Sequence, residues 1–285
     1  MTDTLYISNA IFKHFITNVN GGVVCINREV FVSVLFSSFT LCNVGNQNGA
    51  CFYFASSKTM SSSNNCISSC IACNGQFIFS ASPSSYSNLE LNRTTTSDCS
   101  GAERGVVYFR KTNILSRAYN SSNCITSIHI NVCIIDCERS DSSFYIFFEN
   151  PNDILYCINS GGSNHLLSNI CLINNTYNHR QNGYIHNNSP TDESITVDNI
   201  SAFGNAHTLI DAYKGTITVK HFTGDRFTRT GGGSIFEEDI KEREDYVLAT
   251  SFTMKLICER NERLVSIKRI RIFPSFAQVL ILVIA

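Results

Sequence analysis

Three cysteines form the tightest cluster of chemistry-bearing residues in the chain: Cys66, Cys70 and Cys73, spaced x3 and x2. Three thiolates at that spacing can hold an iron–sulfur cluster. Radical enzymes that use this spacing are built of alternating βα units, and no such units surround these residues, so the cysteines are expected to pack against neighbouring strands. Cys133 and Cys137 form another close pair, but a closed zinc site takes four N or S ligands. Glycosidic-bond hydrolysis needs two carboxyl groups flanking the bond. The candidates are Asp192, Glu193, Asp198, Asp211 and Asp225, with Asp198 and Asp211 in strand-like phrases that could lie on nearby coils. The histidines, His14, His129, His165, His179, His186, His207 and His221, are scattered with no close pair. No catalytic, cofactor-binding or metal-ligating residue is assigned, and no cofactor is expected.

Positioning these residues requires knowing the elements that carry them. Only 16% of the 285 residues are charged, the net charge is −1, and there are 4 Pro and no Trp. Ser, Asn and Thr take the place of charge. They favour turns and disfavour helix interiors, so the composition is all-β. No clustered basic surface of the kind that binds a nucleic-acid backbone is present. The cysteines, 13 in number, fall largely inside strand-like phrases (Cys25, Cys51, Cys133, Cys171). They are expected to act as small buried apolar residues, with disulfides as the alternative in an oxidising compartment.

A phrase recurs down the chain: a glycine or serine turn followed by four to six apolar, mostly β-branched or aromatic residues. It reads GGVVCI from Gly21, GACFYF from Gly49, GQFIFS from Gly75, GVVYFR from Gly105 and SSFYIFF from Ser142. Weaker copies begin at Asn182, His207 and Gly232. The steps are about 25 to 30 residues, with two longer ones near 40 after Gly105, the range that marks repeat architectures. One coil is legible from Gly21 to Gly49: VVCI, a turn, VFVSVLF, a break at Ser37 and Ser38, then FTLCNV. Short strands joined by polar turns are stable only when stacked. The expected fold is therefore an all-β, single-stranded parallel β-helix of about eight coils, right-handed by the general bias of parallel crossovers. A β-sandwich with irregular hairpins is the competing fold. The extra length near Asn120 reads as a surface loop and makes Asn120 the favoured glycan site among five sequons, the others being Asn92, Asn174, Asn187 and Asn199.

The repeat domain is assigned to residues 1–236. Charge then concentrates in EEDIKERED, ERNER and KRIR, so 237–285 is read as a charged segment, a hairpin or cap, and an apolar tail. Ser234 and Glu237 have the spacing of a helix capping box; otherwise SIFEE is a last strand. The N-terminus shows no basic stretch before an apolar run, as a signal peptide would. The final apolar run is shorter than the ~20 residues of a membrane span and is read as a buried strand or a shortened anchor.

Phe15 and Asn18, followed by Gly21, Gly22 and Val23, resemble the FxxN and GGA-aliphatic motifs of chlamydial polymorphic membrane proteins. They resemble more closely the right-handed parallel β-helix surface proteins of trichomonad protists. Cysteine-rich segments ahead of glycine turns (SFTLCNVGNQNGA, CISSCIACNG, TTTSDCSGAERG) match that group's habit. The resemblance spans roughly residues 6 to 238. It implies a β-helix displayed at a cell surface with a part in adhesion. The expected function is a non-enzymatic scaffold offering a polar face to host or cell-surface protein or carbohydrate, without nucleic-acid partners. Membrane association would follow only from a C-terminal anchor. The alternatives are a polysaccharide-active β-helix hydrolase or lyase, and a degenerate family member with no activity of its own.

Overall fold

The computed structural model describes residues 3–242 apart from 28, 56–58, 82–86, 102, 104, 127–129, 152–153, 160–163, 177–182, 190–192 and 207. Every named strand pairing among them is parallel, which excludes the β-sandwich and gives the expected parallel β-solenoid. The principal sheet stacks ten strands along its path, from Thr4–Ser8 to Ser234–Glu242. A second sheet stacks nine, from Val24–Ile26 to Arg229–Thr230. A third face carries only Ile71–Ala72, Ser100–Gly101 and Ile125–Thr126. At about 4.8 Å per strand, the principal sheet is roughly 45 Å long.

Inward positions alternate with outward ones along each strand, and in-register stacking turns each position into a column. One inward column of the principal sheet runs Leu5, Val32, Met60, Leu89, Ile114, Ser140, His165, Ile195, Ile217. Aromatic rings fill the space between the sheets: Phe12 stacks on Phe39 at 5.0 Å, and Phe39 meets Phe52 edge-on at 4.9 Å. Further along, Tyr119, Tyr145 and Tyr156 continue the contact at 5.3 and 5.9 Å.

Corners decide the cross-section. Phe36, Asn64, Arg93, Ala118, Phe144, Asn169, Asn199 and His221 all have φ between 46 and 58° and recur at one bend of the principal sheet. Such left-handed residues cost L-amino acids about 1–2 kcal/mol each, least for Asn and Asp, which are enriched there. Later strands such as Thr112–Ser122 and Arg139–Phe148 run through this bend unbroken. Asn120 therefore lies within a strand, and the expected surface loop there is not formed. The bend at Ala118 breaks the alternation of the sequence without breaking the pairing.

The glycine phrase is a corner too. Gly21, Gly49, Gly75 and Gly105 have φ of 60–70°, and a Cβ on Gly49 would sit 2.2 Å from the Phe52 carbonyl oxygen. Two copies of the phrase belong elsewhere. SSFYIFF and GGSIFEE lie in principal-sheet strands, Arg139–Phe148 and Ser234–Glu242. The second-sheet strands in register between Gly105 and Asn182 are Ile130–Ile135 and Ile154–Asn159, which have no glycine ahead of them. This accounts for the two long steps in the repeat. The capping-box helix is not formed: Ser234–Glu242 pairs with Thr216–Gly224 and carries the solenoid past 236. The hairpin and apolar tail expected after it lie outside the described residues.

Replacing Gly49 by Ala is expected to cost more than about 2 kcal/mol, from left-handed strain plus the clash. Gly232→Ala, whose Cβ would have nothing nearer than 3.7 Å, is expected to leave the urea midpoint unchanged. Equal midpoints for the two variants would contradict the corner assignment.

Candidate functional sites on the solenoid

The solenoid separates most of the residues that sequence spacing had grouped. Of Cys66, Cys70 and Cys73, Cys66 is disulfide-bonded and Cys70 is a fully buried free thiol. Cys73 lies beside Asn74, and burial together with the Glu103 carboxylate raises its thiol pKa. Asp198 and Asp211 lie in different sheets and do not form a catalytic pair. Asp192 lies outside the described residues, as do His129, His179 and His207. Asp225 accepts a hydrogen bond from the Gly204 amide at 2.7 Å.

Each of the two aspartates instead holds a histidine. His221 Nδ1 lies 2.8 Å from Asp198 Oδ1 on the exposed face of the principal sheet, and that hydrogen bond raises the imidazole pKa. His186 Nδ1 lies 2.6 Å from Asp211 Oδ2, with the side chains only 10% and 3% exposed. The two are register partners on adjacent second-sheet strands. A third pair lies inward, where His165 Nδ1 and Ser140 Oγ are 2.8 Å apart.

The second sheet's outward column runs Cys25, Tyr53, Phe79, Tyr108, Cys133, Cys157, His186, Asp211. Its three aromatic rings are nearly coplanar in orientation and stacked at 5.2 and 4.8 Å. Their faces are occupied by one another.

The open surface is on the principal sheet. Two adjoining hollows of about 360 and 450 Å³ share Arg139 and Asp141. One outward column supplies their floor in register: Glu90, Leu115, Asp141, Leu166, Thr196. Asn88 and Asn113 form a second row beside it. Carboxylate and leucine thus alternate up the groove at one strand spacing each.

Inside the solenoid the corner after the second half of each principal-sheet coil carries another column: Cys42, Cys70, Cys99, Cys124, Asn150, Asn175, Asn205. The asparagines show what the position requires. Asn175 Oδ1 accepts the Asn150 amide at 3.0 Å, while its Nδ2 donates to the Phe147 carbonyl at 2.9 Å. Asn150 does the same for Cys124 and Ser121, and Asn205 for Asn175 and Leu172. Cysteine serves the position with sulfur. Cys99 and Cys124 accept the backbone amides of Cys70 and Cys99, and their thiols donate to the Ser97 and Ser122 carbonyls at 3.3 Å. Cys51 enters this column from a different corner, immediately before the strand Phe52–Phe54. Its Sγ is 3.6 Å from that of Cys70. The sulfurs of Cys42, Cys51 and Cys70 all lie within 4.8 Å of one another. The Cys51 and Cys70 thiols beside it lower the Cys42 pKa to about 5, whereas burial pushes Cys51 well up. Spacing in the sequence could not reveal this trio, because its members come from two corners and two coils.

Loss of the buried histidine's partner should register in stability. Asp211→Ala is expected to lower unfolding free energy by about 1–3 kcal/mol, and Asp198→Ala, at an exposed pair, to leave it within error. Chemical denaturation of the two variants compares them directly; a larger loss for Asp198→Ala would reverse the assignment. No family model, curated protein or solved structure matches the chain.

Proposed function

We propose that the chain is a non-enzymatic binding scaffold whose principal-sheet groove holds a linear carbohydrate, displayed at a cell surface. The observation that carries this is the in-register column Glu90, Leu115, Asp141, Leu166, Thr196, flanked by Arg139, Asn88 and Asn113. Carboxylates and amides accept and donate hydrogen bonds to hydroxyl groups. Leu115 and Leu166, 38% and 39% exposed, offer apolar ledges for the C–H faces of sugar rings. A polymer lying along the solenoid axis meets one such ledge or acceptor about every 4.8 Å. The near-zero net charge suits a neutral or weakly charged glycan better than a polyanion. Surface display follows from the resemblance to β-helix surface proteins.

Isothermal titration against a panel of soluble neutral and uronic polysaccharides tests the groove. Wild-type protein is expected to bind at least one member, and an Arg139→Ala/Asp141→Ala double variant at least tenfold more weakly. Unchanged affinity in the double variant would remove the groove from the reading. Protease shaving of intact cells carrying the tagged full-length gene product tests display, and full protection would refute it.

A hydrolytic reading has one observation in its favour. Glu90 and Asp141 share the groove two strands apart, a backbone separation of about 9.6 Å. Carboxyl groups of inverting glycosidases stand about 6.5–9.5 Å apart. Reducing-end release from the bound polysaccharide by wild type, abolished in both Glu90→Gln and Asp141→Asn, would replace the scaffold with an enzyme.

A further inference from the structure

We propose that Cys42, Cys51 and Cys70 form a three-coordinate site for a monovalent soft metal ion, Cu(I), inside the first coils. The site is independent of the groove and of what binds there. Its three sulfurs lie within 4.8 Å of one another, the closest two 3.6 Å apart. A trigonal centre with metal–sulfur bonds of about 2.3 Å spaces its sulfurs about 4 Å apart, so sulfurs within 4.8 Å of one another need to move by less than an ångström to hold the ion.

Two of the three thiols have a structural duty that explains their presence without metal. Cys42 and Cys70 belong to the corner column, where their sulfurs meet backbone groups of their own and neighbouring coils. Cys51 has no such duty. It is fully buried, it comes from another corner, and among the described residues its sulfur meets the Cys70 and Cys42 thiols rather than a backbone group. A valine or alanine would fill the same space. The convergence of this extra thiol on two ladder thiols is what distinguishes the trio from the rest of the column.

Ligand number selects the ion. Soft thiolates favour Cu(I) and Zn(II). Structural Zn(II) takes four ligands, and among the described residues no fourth His, Cys or carboxylate lies within 4.8 Å of all three sulfurs, the neighbouring Cys99 adjoining Cys70. Cys42, Cys51 and Cys70 are themselves unexposed, which keeps a bound ion out of contact with bulk solvent. Cu(I) is satisfied by three sulfurs. On binding, each new Cu–thiolate bond replaces an S–H bond and releases one proton to solvent. Retention of one thiol proton would leave the complex with a single negative charge. The backbone amide of Phe15, which already bonds the Cys42 sulfur, offsets part of it. No oxidation or reduction is involved. Because the trio is buried, the ion enters before the first coils close over it.

The test uses the full-length chain, expressed in copper-supplemented medium and purified anaerobically. Copper and zinc are measured per chain, together with the luminescence of Cu(I)–thiolate centres. The expected result is about one copper per chain with emission, retained in Cys137→Ala and lost at least tenfold in Cys51→Ala. Cys51→Val is measured alongside and is expected to lose copper while keeping the wild-type circular dichroism, which separates ligand loss from misfolding. Copper at background in the wild type, equal copper in the Cys51 variants, or stoichiometric zinc in its place would each overturn the proposal.

Discussion

Everything in this molecule depends on parallel strands stacking in register, each coil hydrogen-bonding to the coils above and below. A single coil buries little and leaves its amides and carbonyls exposed. Stacking satisfies them in a ladder that passes even through the corners: the amides of Asn9, Phe36 and Asn64 bond the Leu35, Ser63 and Asn92 carbonyls at 3.0 Å. The price is a left-handed residue at each bend. Where that residue is Phe36, Arg93 or Ala118, neither side chain nor glycine eases the strain, and the ladder on both sides holds it in place. This is why one corner glycine matters more than its small size suggests.

Register converts sequence position into columns, and columns are where the chemistry lies. The same corner position takes Cys in four coils and Asn in three because both can accept an amide hydrogen from the coil beneath. Asparagine adds a donor to the carbonyl three residues before that amide; cysteine adds an S–H bond to the carbonyl two residues before itself. The thiol ladder is therefore a backbone-capping device first. A metal site arises from it only where a further sulfur is brought alongside. The groove follows the same rule on the outside, where alternating carboxylate and leucine are a consequence of one residue per coil facing solvent at one register position.

The architecture was legible in the sequence because glycine corners and alternating apolar runs are local signals. In the coil from Gly21 to Gly49 the first two strands lie where they are read, while FTLCNV forms a strand only through Thr40 before the corner at Leu41. The phrase failed where the corner needs no glycine. Ile130 and Ile154 head their second-sheet strands without one, so INVCII and ILYCIN escape the repeat count and SSFYIFF stands in their place. Asn120 was misread for a related reason: a left-handed residue inside a long strand shifts the alternation of side chains and imitates a loop. The groove and the thiol trio were not legible. Both are built from residues about one coil apart, and with coil lengths that vary, a shift of one residue in any coil would turn Asp141 or Cys70 to the opposite face.

Among the described residues, the strand that ends the stack is Ser234–Glu242. It pairs on one side with Thr216–Gly224. Its own sequence is unlike any strand before it. Ile235 and Ile240 still pack against the core, but Glu237 takes the register position of the buried Val219, so the inward pattern is only partly kept. Glu237, Glu238, Asp239, Lys241 and Glu242 are all exposed. Charge crowded on an edge opposes the addition of another chain's strand, and in a repeat whose every coil is a template for the next, such a device is what limits growth. The rise in charge that marks the end of the repeat in the sequence thus has a mechanical meaning. Among the described residues, this last coil keeps two apolar contacts with the core and replaces with charge the neutral Ser, Asn and Thr of the coils before it.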